Sequence, residues 1–176
     1  MSCGILIALL LFPVSCSVAG PVGESRAKMD HGIDLGAKVA PTALWCRDGS
    51  GRRVGESGKL QIVTFATPYD CSACTPHLDG VPKVVGGTGL AVYAFTVMWA
   101  PNRKVLERQI AQVAPDLPIC VNEDGSLWEQ HNLLHTPFTA VLNDGVVVYL
   151  NDSNLQTEEE RHQFAADLKS IFPTTR

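Results

Sequence analysis

"FATPYDCSACTPHL", residues Phe65 to Leu78, sets two cysteines two positions apart where an apolar run ends. The preceding residues, "KLQIVTFA", are compact and apolar, as a buried strand requires. A CxxC spacing after a strand suits three uses: thiol–disulfide exchange, half of a metal site, or a loop staple. The rest of the chain decides among them.

Downstream, a helix is expected, but Pro76, Gly80 and Pro82 predict one that kinks or starts late and stops by Gly86 and Gly87. "GLAVYAFTVMWA" is nearly continuous in apolar residues, the pattern of a strand covered on both faces. Asn102 can cap a helix whose Val105, Leu106, Ile110 and Val113 share one stripe before Pro115. "LPICVNE" is a further short strand, and Ser126 with Glu129 has the spacing of a capping box for a helix reaching Leu134. "FTAVLNDGVVVYLN" reads as a hairpin turning at Asp144-Gly145, because that pair tolerates positive φ. Thr157 and Glu160 box the last helix, which turns Phe164, Leu168, Ile171 and Phe172 inward and ends at Pro173. Upstream, "TALWCRDGSGRRVGE" predicts a hairpin around Asp48-Gly49-Ser50-Gly51. The order is hairpin, strand, CxxC helix, strand, helix, strand, helix, hairpin, helix. It predicts an α/β domain over 42–176: a central mixed β-sheet flanked by helices, with an N-terminal β-hairpin extension.

The first residues read differently. The apolar run from Ile5 to Val14 is too short to span a bilayer but fits a signal-peptide core, with Ser17-Val18-Ala19 suited to cleavage. Residues 1–19 are expected to be a signal peptide, with a lipoprotein signal ending before Cys16 as the competing reading. Residues 20–41 are rich in small polar groups and read as a linker. Export places the protein in the periplasm or otherwise outside the cytoplasm, with membrane attachment only if Cys16 carries a lipid. At 176 residues the chain suits one domain, and a net charge of −4 argues against nucleic acid as partner. Arg47, Arg52 and Arg53 read as a solvated edge.

With the signal removed, Cys46, Cys71, Cys74 and Cys120 remain. Thiol–disulfide exchange needs an accessible thiolate and a second thiol to resolve the mixed disulfide. At a helix start the first cysteine lies at the positive end of the dipole, which lowers its pKa. That makes Cys71 the expected attacking thiolate and Cys74 the resolving partner. A Thr136-Pro137 step directly before a hairpin strand is where a cis proline can sit, beside the cysteines, with the Thr136 backbone free to pair with an extended substrate. Cys46 and Cys120 read first as small buried apolar residues, with a disulfide between them as the other reading.

CxxC after an apolar strand, Thr-Pro downstream and "DG" between two strands resemble the thioredoxin-like superfamily. Together with the hairpin "LWCRDGSGRRV" and the export signal, they resemble the TlpA/ResA-type extracytoplasmic thiol–disulfide oxidoreductases over residues 41–172. The resemblance implies a thioredoxin-like fold, Cys71 and Cys74 as redox pair, and Thr136 with cis-Pro137 as substrate-binding turn. It implies no cofactor, and as partners a cysteine-containing protein substrate and a redox partner protein.

The chain also departs from that pattern. Asp70 stands where members carry an aromatic residue, and its charge opposes thiolate formation at Cys71. "QIVTFA" lacks the buried aspartate of thioredoxin, and His77 stands where the cytochrome-maturation branch has an acid. His77 is therefore the candidate proton acceptor, since imidazole titrates near neutrality, with an exposed structural histidine as the other reading. A zinc site would need Cys46, Cys120, His77, His131 or His135 to converge on the pair, without any second CxxC. Copper carriers of this fold space their cysteines by three residues, although His135 lies close to Pro137 in sequence. Peroxidases of this fold use a Pro-x-x-x-Thr-x-x-Cys loop, which Thr67 and Pro68 do not reproduce. The expected function is exchange with protein disulfides; the alternative is an exported copper-binding or redox-inactive module on the same fold.

Overall fold

The computed structural model describes residues 31–67, 74–90, 94–112 and 117–172; the side chains of Cys74, Arg103, Gln109 and Gln112 are outside that description. The signal segment, Cys16, Asp70 and Cys71 also lie outside the described residues. Among the described residues, eleven elements follow in the expected order: β1 Thr42–Cys46, β2 Gly51–Val54, β3 Leu60–Ala66, α1 Cys74–Thr88, β4 Ala94–Met98, α2 Arg103–Gln112, β5 Ile119–Val121, α3 Ser126–His131, β6 Phe138–Asn143, β7 Val146–Asn151 and α4 Glu158–Ile171.

The strands form one mixed sheet in the order β2-β1-β5-β4-β3-β6-β7. β3 lies inside the sheet, parallel to β4 and antiparallel to β6. Alternation along β3 divides the core. Val63 and Phe65 face a cluster with Leu44, Val54, Leu127, Trp128, Phe138 and Ala140, under the N-terminal hairpin and α3. Ile62 faces the other way, into Val81, Val84 and Val85 of α1 and Phe164 and Leu168 of α4.

Turn chemistry is where the sequence placed it. Asp144 and Gly145 both have positive φ at the β6–β7 turn, 55° and 75°. Asn102 accepts hydrogen bonds from the Lys104 and Val105 amides at the start of α2. Thr157 and Glu160 form a reciprocal capping box on α4.

Four expectations change. α1 runs unbroken for 15 residues through Pro82 to Thr88 instead of stopping at Gly86. Pro76 sits in its first turn, where backbone N–H groups have no intrahelical acceptor, so the missing donor costs little there. Gly80 is required by packing, because a Cβ there would stand 2.5 Å from the Leu155 Cβ. The helix stops at Gly89, whose φ of 75° suits glycine.

Ser126 and Glu129 form no capping box. Gly125 holds the N-cap position of α3 in the left-handed region, and the helix ends at His131, short of Leu134. Asp124 and Asn122 supply the capping oxygens instead, to the Ser126 and Leu127 amides.

Cys46 and Cys120 are register partners on β1 and β5, and they are joined by a disulfide with both residues fully buried. Finally, residues 31–41, read as the end of a linker, lie against the sheet. Ile33 and Val39 are buried, and backbone bonds tie Gly36 and Ala37 to Val147 and Val39 to Gly145.

Candidate functional site

Cys74 is the first residue of α1, and Thr67 is the last described residue after β3. These two points bracket Cys71, which lies outside the described residues. The Thr136–Pro137 peptide bond is cis and directly precedes β6. The Thr67 and Thr136 hydroxyls are 2.8 Å apart and hydrogen-bonded, so the chain leaves β3 toward the cysteines in contact with that turn. Four positions separate Thr67 from Cys71 in sequence.

The turn is held from another side by the N-terminal segment. His31, buried, donates from Nδ1 to the His135 carbonyl at 3.1 Å and stacks on Phe138 with ring centroids 4.6 Å apart. Gly32 passes so close to the backbone of His131 and Asn132 that a Cβ would collide with both carbonyls. Thr136 and Pro137 themselves are half-buried, and His135 is exposed. Among the described residues, the turn is therefore only partly covered.

His77 lies on α1 three positions after Cys74, and it is completely buried. Its Nδ1 is 2.8 Å from the Ser153 carbonyl, which can only accept, so Nδ1 carries the proton. Nε2 then accepts from the Thr139 hydroxyl at 2.9 Å. With its proton directed to His77, Thr139 Oγ1 accepts from Thr64 Oγ1 at 2.9 Å. Thr64 and Thr139 are register partners on β3 and β6 and are fully buried. Burial pushes the His77 pKa down to about 4, against the opposing pull of the Ser153 bond and the Asp152 charge. The imidazole is thus neutral at physiological pH with both nitrogens engaged. The alternative of an exposed structural histidine does not match a buried side chain, and burial holds the pKa below the near-neutral value on which the proton-acceptor reading relies.

Thr64, Thr67 and Thr139 were missed in the sequence. A threonine within a strand is ordinary β-former chemistry, and nothing in "QIVTFAT" or "FTAVLN" distinguishes a hydroxyl aimed at a histidine from one that merely fills the sheet.

No family model matches the chain, and no curated protein matches it. Solved structures do. The thioredoxin domain of a thiol-disulfide oxidoreductase from Bacteroides vulgatus superposes with a TM-score of 0.58 at 13% identity, covering 76% of this chain and 99% of that one. The exposed lipoprotein thioredoxin Etrx1 of Streptococcus pneumoniae gives 0.57 at 19% identity, with coverage of 73% and 99%. A secreted disulfide oxidoreductase of Mycobacterium tuberculosis gives 0.54 at 14% identity, with coverage of 74% and 96%. The chain has a thioredoxin-like fold, the fold of these thiol–disulfide oxidoreductases.

Proposed function

We propose that the chain is an exported thiol–disulfide oxidoreductase that acts on protein cysteines through Cys71 and Cys74. In the reducing direction the Cys71 thiolate attacks one sulfur of a substrate disulfide and forms a mixed disulfide, expelling the other sulfur as a thiolate that takes up a proton. The Cys74 sulfur, deprotonated, then attacks Cys71 Sγ and releases the second substrate thiol. Two electrons have passed to the substrate, and Cys71–Cys74 is a disulfide that a partner dithiol must reduce. The reverse sequence oxidises a substrate dithiol.

The observation that carries this reading is the Thr67–Thr136 hydrogen bond, which brings the exit of β3, just before the cysteines, to the turn at Pro137. With Cys74 opening α1, the helix N-terminus favours a thiolate over a thiol. The half-buried Thr136 offers its backbone to an extended substrate segment. The buried Cys46–Cys120 disulfide supports an oxidising compartment, and two of the similar structures are described as secreted or as an exposed lipoprotein. Signal processing over residues 1–19, or acylation at Cys16, is the route to that compartment in this reading.

Trapping tests it. Cys74→Ser incubated with a disulfide-bearing model protein is expected to accumulate a covalent adduct that dithiothreitol dissolves and peptide mapping assigns to Cys71. Cys71→Ser is expected to give none. Equal trapping by both variants, or by neither, contradicts the assignment.

A further inference from the structure

The hydroxyl pairs Thr67–Thr136 and Thr64–Thr139 both cross from the β3 segment to the Thr136–Thr139 stretch, at 2.8 and 2.9 Å. His77 extends the second pair to α1, and its Nδ1 reaches onward to the Ser153 carbonyl beyond β7. The five side chains thus link the exit of β3, the turn at Pro137 and the first turns of α1. We propose that Thr64, Thr67, Thr136, Thr139 and His77 form one uncharged brace that fixes the reactive end of α1 against the Pro137 turn, with His77 as the positioning residue for the thiol pair. This role rests on the redox reading above.

The geometry argues for positioning rather than simple core filling. Apolar residues of equal volume would fill Thr64, Thr139 and His77 without the cost of burying polar groups. The buried network instead requires three elements to meet in one register, since each hydroxyl and ring nitrogen has a directional partner. Further along α1 the contacts are the apolar packing of Val81, Val84 and Val85 and the close fit of Gly80 against Leu155, none of which carries a hydrogen-bond direction. His77 is the hydrogen-bonded contact near the cysteine end. The N–H groups of the first turn stabilise a thiolate only when held in place relative to it. Releasing His77 should therefore alter the thiolate more than the disulfide, and so the balance between the two redox states. Among the described residues, the charged group that bears on the imidazole is Asp152, beside Ser153 on the β7–α4 connection.

The test compares the full-length protein with Thr139→Val, Thr139→Ser, His77→Phe and the Thr139→Val/His77→Phe pair. The readout is the equilibrium constant of the Cys71–Cys74 couple with glutathione, read by alkylation and mass. Losing one hydrogen bond of the brace is expected to shift that constant by about fivefold in Thr139→Val. Thr139→Ser, which keeps the hydroxyl, is expected to stay within about twofold of wild type. The double variant is expected to shift less than the sum of the singles, because both break one network. Nitrogen chemical shifts of His77 should report a proton on Nδ1 and none on Nε2 at pH 7. An unchanged constant in Thr139→Val and His77→Phe, with only melting temperature lowered, overturns the proposal, as does a proton on Nε2. A wild-type protein with no glutathione-exchangeable couple defeats the redox reading itself, and that result appears before any variant is made.

Discussion

His77 shows how burial changes what a residue can do. In water an imidazole gains a proton near pH 6.5, but here the charged form would lose its solvation and the pKa falls to about 4. The sign of the stability effect follows. The unfolded chain binds a proton at His77 as pH drops below about 6.5, and the folded chain does not until about 4, so acid favours unfolding across that window. The contribution present at pH 7 falls by roughly 3 kcal/mol by pH 4. In denaturant titrations at the two pH values, His77→Phe is expected to lose less stability on acidification than wild type by about that amount. Equal losses would show that His77 protonates freely in the folded state. Cys71, Cys74, Thr136 and Pro137 are candidates by spacing and residue type, and His77 by its place in the family resemblance. Their hydrogen-bond partners carry no such signal. Thr64 and Thr139 meet only because β3 and β6 pair in a particular register, and that register comes from long-range strand order rather than from a local pattern.

Elements were easier to read than their ends. The order of strands and helices follows from apolar periodicity, and Asn102, Thr157 and the Asp144-Gly145 turn mark boundaries through local hydrogen bonding. Where two local signals competed, the sequence reading failed. Ser126 and Glu129 match the box pattern, but Asp124, two residues earlier, already accepts from the Ser126 amide. Those same bonds hold the Asp124 carboxyl below its ordinary pKa. Proline and glycine in α1 argued for a break, yet the helix packs an apolar stripe against the sheet, and tertiary burial outweighs weak propensity. The two boxes give a direct contrast. Thr157→Ala should destabilise the fold by about 1 kcal/mol in urea unfolding, because it removes a side-chain bond to the Glu160 amide. Glu129→Ala should change stability by no more than about 0.5 kcal/mol, since no capping bond is lost. A larger cost for Glu129→Ala would restore the box at α3.

Across the whole molecule, the proposed redox pair Cys71 and Cys74 is separate in sequence from the Cys46–Cys120 disulfide. Cys46 and Cys120 join β1 to β5 across a sequence separation of 74, where those strands share only two register pairs. A cross-link closing a loop of that size stabilises by about 4 kcal/mol in the chain-entropy account. Both of its cysteines are fully buried, so a soluble thiol cannot reach them without unfolding. Cysteine spacing alone left their pairing open, because no sequence signal brings β1 beside β5. In the proposed function, Cys71 and Cys74 form a reversible dithiol–disulfide couple while Cys46–Cys120 stays closed. The most direct test is equilibration of the native protein across a range of glutathione ratios, then acid quench, alkylation and mass measurement with peptide mapping. The predicted result is one two-electron transition confined to Cys71 and Cys74, absent in Cys71→Ser, with Cys46 and Cys120 unlabelled throughout. The contradicting result is a native protein whose Cys71 and Cys74 stay in one state at every ratio while Cys46 and Cys120 exchange.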